Sequence, residues 1–159
     1  MRHAVQRGLS VVAVATAAAG IGAVAAAPAA HAASLPSVGL PDCGGATKHV
    51  FLPDLYFMLP STGNNNFEYS CVMGSGNVSN AVLKLQQALN RCYGAGIAED
   101  QNFGPQTYNA LRDVQRREGV VADGVYGPET ATHILWPTYE SPANTLYMCV
   151  RYPNMILPG

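Results

Sequence analysis

Histidine is scarce in this chain, and the scarcity closes off several chemistries. Of four histidines in 159 residues, His3 and His31 fall in an N-terminal leader, which leaves His49 and His133. A zinc hydrolase needs a cluster of His and carboxylate ligands with a general base beside it. Neither His49 nor His133 has a partner at ligand spacing, so no metal and no cofactor is expected. His133 reads as a residue on a helix surface. The G-x-S-x-G turn of many serine hydrolases is absent. The four cysteines contain no C-x-x-C pair and no zinc spacing. A Cys–His hydrolase would need one of them as a free thiol.

Basic residues are few as well. Taking Arg2 and Arg7 of the leader from nine Lys/Arg leaves seven against ten Asp/Glu, a net charge near −3. The only basic cluster is Arg112, Arg116 and Arg117, read as a solvated helix face near a C-terminus, where cations are favoured. No basic stripe is present, so nucleic acid is not an expected partner.

The leader has three parts. Arg2 and Arg7 open it, Leu9 to Val24 is apolar or small throughout, and Ala30-His31-Ala32 offers a small-x-small cleavage site. This is the layout of a secretory signal peptide, with cleavage expected after Ala32 and no membrane contact afterwards. The alternative is a retained anchor over Leu9 to Ala27, but Ala and Gly make it weakly apolar for a span. No Cys stands at the cleavage site, so no lipid anchor is expected. The expected location is secreted, extracellular or associated with the cell wall. Four cysteines, Cys43, Cys71, Cys92 and Cys149, in an exported chain suggest two disulfides. Three pairings are open. The reading leans to Cys71–Cys149 with Cys43–Cys92, and the rival is Cys43–Cys71 with Cys92–Cys149.

What is present is a repeat. Asp100-Gln101-Asn102-Phe103-Gly104-Pro105-Gln106-Thr107 is followed by Asp123-Gly124-Val125-Tyr126-Gly127-Pro128-Glu129-Thr130. Asp, an aromatic ring, Gly-Pro and Thr recur at the same relative positions, and each copy follows an apolar stretch carrying a Gln, Gln86 or Gln115. So short a repeat implies one supersecondary unit used twice. Pro suits the first helical position, where its missing N–H costs nothing. Gly before it is expected to supply backbone angles that a side chain forbids. Asp accepts from turn amides, Thr can bond back to the turn, and Gln86 and Gln115 are expected to bond the turn backbone. Phe103 and Tyr126 read as pegs packing each turn onto the helices. A glycosidase needs two facing carboxylates. Asp100 and Asp123 are the tempting pair, but their repetition assigns both to turn-building.

This series resembles the peptidoglycan-binding-like domain family, small three-helix modules of secreted bacterial cell-wall proteins. The matching residues run from Gly76 through Ala81-Val82, Leu85-Gln86 and Leu89. They continue through the first turn, Ala110-Leu111, Val114-Gln115, Gly119-Val120 and the second turn to Ile134. Turn two is a full match, whereas turn one has Gln101 where the family has Gly. The resemblance covers about residues 75–136.

The expected fold is therefore mainly α. It is a compact three-helix bundle at 75–137, behind a signal peptide at 1–32 and an extended flap at 33–74, and followed by an extended tail at 138–159. Helix one runs from a Ser79 cap to about Cys92, with Val82, Leu85, Leu89 and Cys92 on one face. Helix two runs from Pro105 to about Glu118, and helix three from Pro128 to about Trp136. Pro53 and Pro60 disfavour helix in the apolar Thr47 to Leu59 segment, which reads as one or two short strands. Leu146 to Val150 is expected to pair with that segment.

What the resemblance implies is a non-catalytic protein that binds peptidoglycan or a muropeptide and works beside a separate cell-wall enzyme. Aromatic faces for sugar rings and directional polar groups for amides suit such a ligand. The candidate contacts near the turns are Arg91, Tyr93, Asn102 and Tyr126. One alternative is a secreted interaction or inhibitor protein using the Val50 to Leu59 segment. A second is a small wall hydrolase with an unrecognised site.

Overall fold

The structure, a computed structural model, describes residues 39–63 and 70–153. The signal peptide, its cleavage site and the last residues of the tail lie outside the described residues. In chain order the elements are β1 (Gly45–Leu52), β2 (Leu55–Ser61), α1 (Asn80–Tyr93), α2 (Pro105–Glu118), α3 (Pro128–His133), β3 (Leu135–Glu140) and β4 (Thr145–Arg151).

The mainly helical expectation is overturned. Three helices of 14, 14 and 6 residues stand beside four strands of 8, 7, 6 and 7. The strands form one antiparallel sheet in the order β1-β2-β3-β4. The flanks supply most of it: the short strands expected in Thr47 to Leu59 are β1 and β2, and β4 lies in the segment expected as an extended tail. β1 and β2 are a hairpin turning at Pro53-Asp54, with Leu52 opposite Leu55. The larger error is at helix three, which stops at His133, with Ile134 in extended geometry. Pro137 keeps the helix from resuming: its ring pushes Trp136 out of the helical region, inside a strand that already begins at Leu135. Pro137 faces Cys149 of β4, whereas the β2–β3 pairing begins only at Thr138. The proline thus sits where β3 has no ladder with β2, a tolerated place for a residue without an N–H. β3 also separates β4 from the N-terminal strands, so the 146–150 segment does not pair with them.

The helix boundaries follow their caps. Ser79 accepts from the Val82 amide at the start of α1, and Gly94, at φ 69°, closes its end. Gly119, at φ 74°, closes α2. α1 lies against β2 and β3, and one apolar cluster joins the layers. Phe57, Leu59 and Trp136 of the sheet meet Leu85 and Leu89 of α1, Leu111 of α2 and the turn rings Phe103 and Tyr126, all fully buried. Phe57 and Leu59 belong to the apolar segment offered as a partner contact, and they are spent in this core. Val50 and Leu52 of the same segment stay exposed.

The disulfides are Cys43–Cys71 and Cys92–Cys149, so the leaning pairing is overturned in favour of its rival. The backbone explains the choice. Cys43 donates its N–H to Val72 O (2.9 Å), and Val72 donates to Pro41 O (3.0 Å). That parallel bridge leaves the Cα atoms of Cys43 and Cys71 5.1 Å apart. Cys92, at the end of α1, stands 5.8 Å from the Cα of Cys149 on β4. Both separations fall within the usual disulfide range.

Candidate functional site

The repeated turns position everything around them. In turn one, Gln86 donates from Nε2 to Asp100 Oδ1 (2.8 Å), Asn102 O (3.0 Å) and Thr107 Oγ1 (3.1 Å), while its Oε1 accepts from the Gln101 amide (3.0 Å). In turn two, Gln115 donates to Asp123 Oδ1 (3.1 Å), Val125 O (2.9 Å) and Thr130 Oγ1 (3.2 Å), and accepts from the Gly124 amide (2.9 Å). Both glutamines are buried. Each Asp also accepts from the amide two residues on, at 2.9 Å in both turns. The bonds from Gln86 and the Asn102 amide hold the Asp100 carboxyl below its usual pKa.

Each turn is also bridged to the segment before α1. The Phe103 amide donates to Asn77 O (2.9 Å), and Tyr126 and Met73 exchange two backbone bonds (2.9 and 3.1 Å). The glycines before each Pro do not hold the unusual angles expected of them. Gly104, at φ −86°, and Gly127, at φ −155°, have extended backbone open to any residue. The left-handed residue is the second of each turn, Gln101 at φ 66° and Gly124 at φ 73°.

Between α1 and α2 lies an open cleft of about 230 Å³, lined by Tyr93, Ala95, Ala110, Asp113, Val114 and Arg117. Tyr93 is the last residue of α1, and Gly94 turns the chain so that Ala95 continues the wall. The Tyr93 hydroxyl donates to Glu118 Oε1 (3.0 Å) and accepts from the Leu135 amide (2.7 Å). Those two bonds fix the ring, and burial raises the pKa of its hydroxyl, so it stays a neutral phenol. Arg117 places its guanidinium carbon 5.3 Å from the centre of the Tyr93 ring, within cation–π range. Asp113, one helical turn earlier on α2, pairs with Arg116. The cleft thus holds an oriented ring, a cation and a carboxylate over a floor of small side chains. That set can accept a short peptide bearing charges of both signs. Among the described residues no group of three or more His, Cys, Asp or Glu could hold a metal.

The four residues singled out from the sequence do not converge. Tyr93 alone lines the cleft. Arg91 lies outside it, paired with Glu99 at 3.1 Å. Asn102 is exposed in turn one and gives its backbone to the Gln86 clamp. Tyr126, read both as a packing peg and as a candidate contact, is the peg. It is fully buried, edge-on to Trp136 with ring centres 6.1 Å apart. Sequence reasoning missed Asp113 and Arg117. Their i, i+4 spacing puts them on one face of α2, but only the packing of α1 shows that this face meets Tyr93. The basic cluster divides in three: Arg112 donates to Ala122 O (3.1 Å), Arg116 pairs with Asp113, and Arg117 covers Tyr93.

Residues 78–134 match a family model described as "Putative peptidoglycan binding domain". No curated protein matches the chain. Similar solved structures include these two. The SleB N-terminal domain is 33% identical over 38% of this chain and 84% of that one, with a TM-score of 0.37. A peptidoglycan-binding protein from Clostridioides difficile, in complex with glutamine hydroxamate, is 27% identical over 54% of this chain and 53% of that one, with a TM-score of 0.40. The chain belongs to the peptidoglycan-binding domain family, and the turns and the cleft between α1 and α2 fall within the matched segment.

Proposed function

We propose that this chain is a secreted, non-catalytic protein that binds bacterial peptidoglycan, taking the short wall peptides into the cleft between α1 and α2. The observation that carries the reading is the charge arrangement of that cleft within the matched segment. Arg117 suits a peptide carboxylate, Asp113 suits an ammonium, and the Tyr93 ring supplies an apolar face. Support for a non-catalytic role comes from Asp100 and Asp123, whose Oδ1 atoms each accept from a clamp glutamine and a turn amide. Support for export comes from the leader and the two disulfides, which persist in oxidising compartments.

Co-sedimentation with purified cell-wall sacculi tests the reading. The protein should pellet with the wall, and Arg117→Ala should lower apparent affinity about tenfold with an unchanged melting temperature. Protein left in the supernatant would overturn wall binding. Release of soluble label from fluorescent sacculi would overturn the non-catalytic part alone.

A further inference from the structure

The sheet lies outside the matched segment, and its register sets a row of partly exposed side chains from edge to edge. Val50 is opposite Tyr56, Tyr56 is opposite Tyr139, and Tyr139 is opposite Leu146. Directly opposed residues share a face of a sheet. Val50 is 62% and Leu146 44% exposed, and the two tyrosines between them are half-buried. The tyrosine rings lie 5.6 Å apart with 32° between their planes, which makes one shallow aromatic shelf.

Hydrogen-bond donors without protein partners surround that shelf. The Lys48 ammonium stands 4.0 Å from the centre of the Tyr56 ring and has no ion pair among the described residues. Asn144, held at φ 55° in the β3–β4 turn, uses Oδ1 to accept from the Tyr56 hydroxyl. Its Nδ2 therefore keeps two donors with no partner among the described residues. The Tyr139 hydroxyl has no hydrogen-bond partner among them either.

The geometry points to a glycan subsite on the sheet, in which a pyranose ring of an amino sugar lies on Tyr56 and Tyr139. Lys48 and Asn144 donate to its acetamido and hydroxyl oxygens. An apolar sugar face suits the rings, and the oxygens at its rim answer the unpaired donors. A purely apolar occupant would leave Lys48 and Asn144 without acceptors, which is costly once water is excluded. The inference rests on the wall-binding reading and divides the polymer in two, with peptide in the helical cleft and sugar on the sheet.

The test titrates the full chain with a tetramer of N-acetylglucosamine and, in parallel, measures sedimentation with sacculi. Binding of the tetramer is expected, with affinity falling about tenfold for Tyr56→Leu and for Tyr139→Leu. Asn144→Gly, which suits the left-handed backbone there, should lose about threefold. Tyr56→Phe keeps the ring and should bind within about threefold of the parent. Melting temperatures of all four variants separate lost binding from lost folding. Sacculi bound with the tetramer ignored, or tetramer affinity unchanged in both leucine variants, overturns the subsite and leaves wall binding standing. Failure of both ligands overturns both readings. A concentration-dependent dimer abolished by Tyr139→Leu assigns the row to a second copy of the chain and overturns the subsite.

Discussion

At the second position of turn one stands Gln101, at φ 66°, and at the same position of turn two stands Gly124, at φ 73°. The two turns share one hydrogen-bond plan, with a buried glutamine clamping the loop, an aspartate accepting its amides and a threonine closing it from the helix. The difference lies in the neighbour. A Cβ on Gly124 would meet the Tyr108 ring at 2.2 Å. Gln101 carries an exposed side chain at the matching place. Left-handed backbone costs a non-glycine residue roughly 1–2 kcal/mol, and turn one carries that cost. Glycine is favoured in turn two because a ring packs over it and would have to shift for any Cβ.

The harshest way to break this comparison is to remove a clamp. Gln115→Ala leaves the Gly124 amide, the Val125 carbonyl and Asp123 without their buried partner. Of these Gly124 is buried, as is Thr130, which also loses its bond from Gln115, and an orphaned buried group costs about 1–3 kcal/mol. A loss of about 3 kcal/mol in denaturant unfolding is expected, and Gln86→Ala should match it within about 1 kcal/mol. A near-neutral result at either glutamine would show that the turns are held by packing instead.

A sharper probe separates the turns. Gly124→Ala meets both left-handed strain and the Tyr108 ring, for an expected cost of about 2–3 kcal/mol. Gln101→Ala exchanges one non-glycine residue for another in open space and should cost under about 0.5 kcal/mol. Trimming the ring with Tyr108→Ala in the Gly124→Ala background should return the steric part, which a double-mutant cycle reads directly. Equal costs at positions 101 and 124 would remove Tyr108 from the explanation.

The same contrast shows how far the sequence reaches. The clamp glutamines, the Asp and Thr roles, the Ser79 cap and the extents of α1 and α2 follow from local patterning, and the structure contains them. Those features depend on contacts close in sequence. The sheet does not. β3 joins β2 across about 80 residues of chain, and nothing local in Leu135–Glu140 distinguishes a strand from the end of a helix except Pro137. The disulfide pairing was hidden for the same reason, since it depends on how strands and helix are laid side by side. In the cleft, Tyr93 was legible as an aromatic next to a helix stop. Asp113 and Arg117 looked like ordinary solvated charges until α1 supplied the opposite wall. Tyr126 was legible as a peg from the repeat, and its full burial removes it only from the candidate contacts.

The smallest expected effect concerns that ring. Phe103 and Tyr126 occupy equivalent slots, and both are fully buried. The Tyr126 hydroxyl is buried with no hydrogen-bond partner among the described residues, whereas Phe103 has no side-chain polar group to satisfy. Burying an unpartnered hydroxyl costs about 1–3 kcal/mol by mutational measures. Tyr126→Phe should therefore leave stability unchanged or raise it by up to about 1 kcal/mol. Burial also raises the pKa of this phenol, so the unfolded chain releases the proton first as pH rises. The contribution is whole below the unfolded value of about 10 and is lost above it. Tyr126→Phe should accordingly flatten the alkaline limb of the stability profile, leaving the parts due to Tyr93 and Tyr139, whose phenol pKa values burial also raises. A loss of more than about 1 kcal/mol in the phenylalanine variant would mean that the hydroxyl is satisfied by a buried water. The two aromatic slots would then differ in chemistry as the two left-handed positions differ in packing.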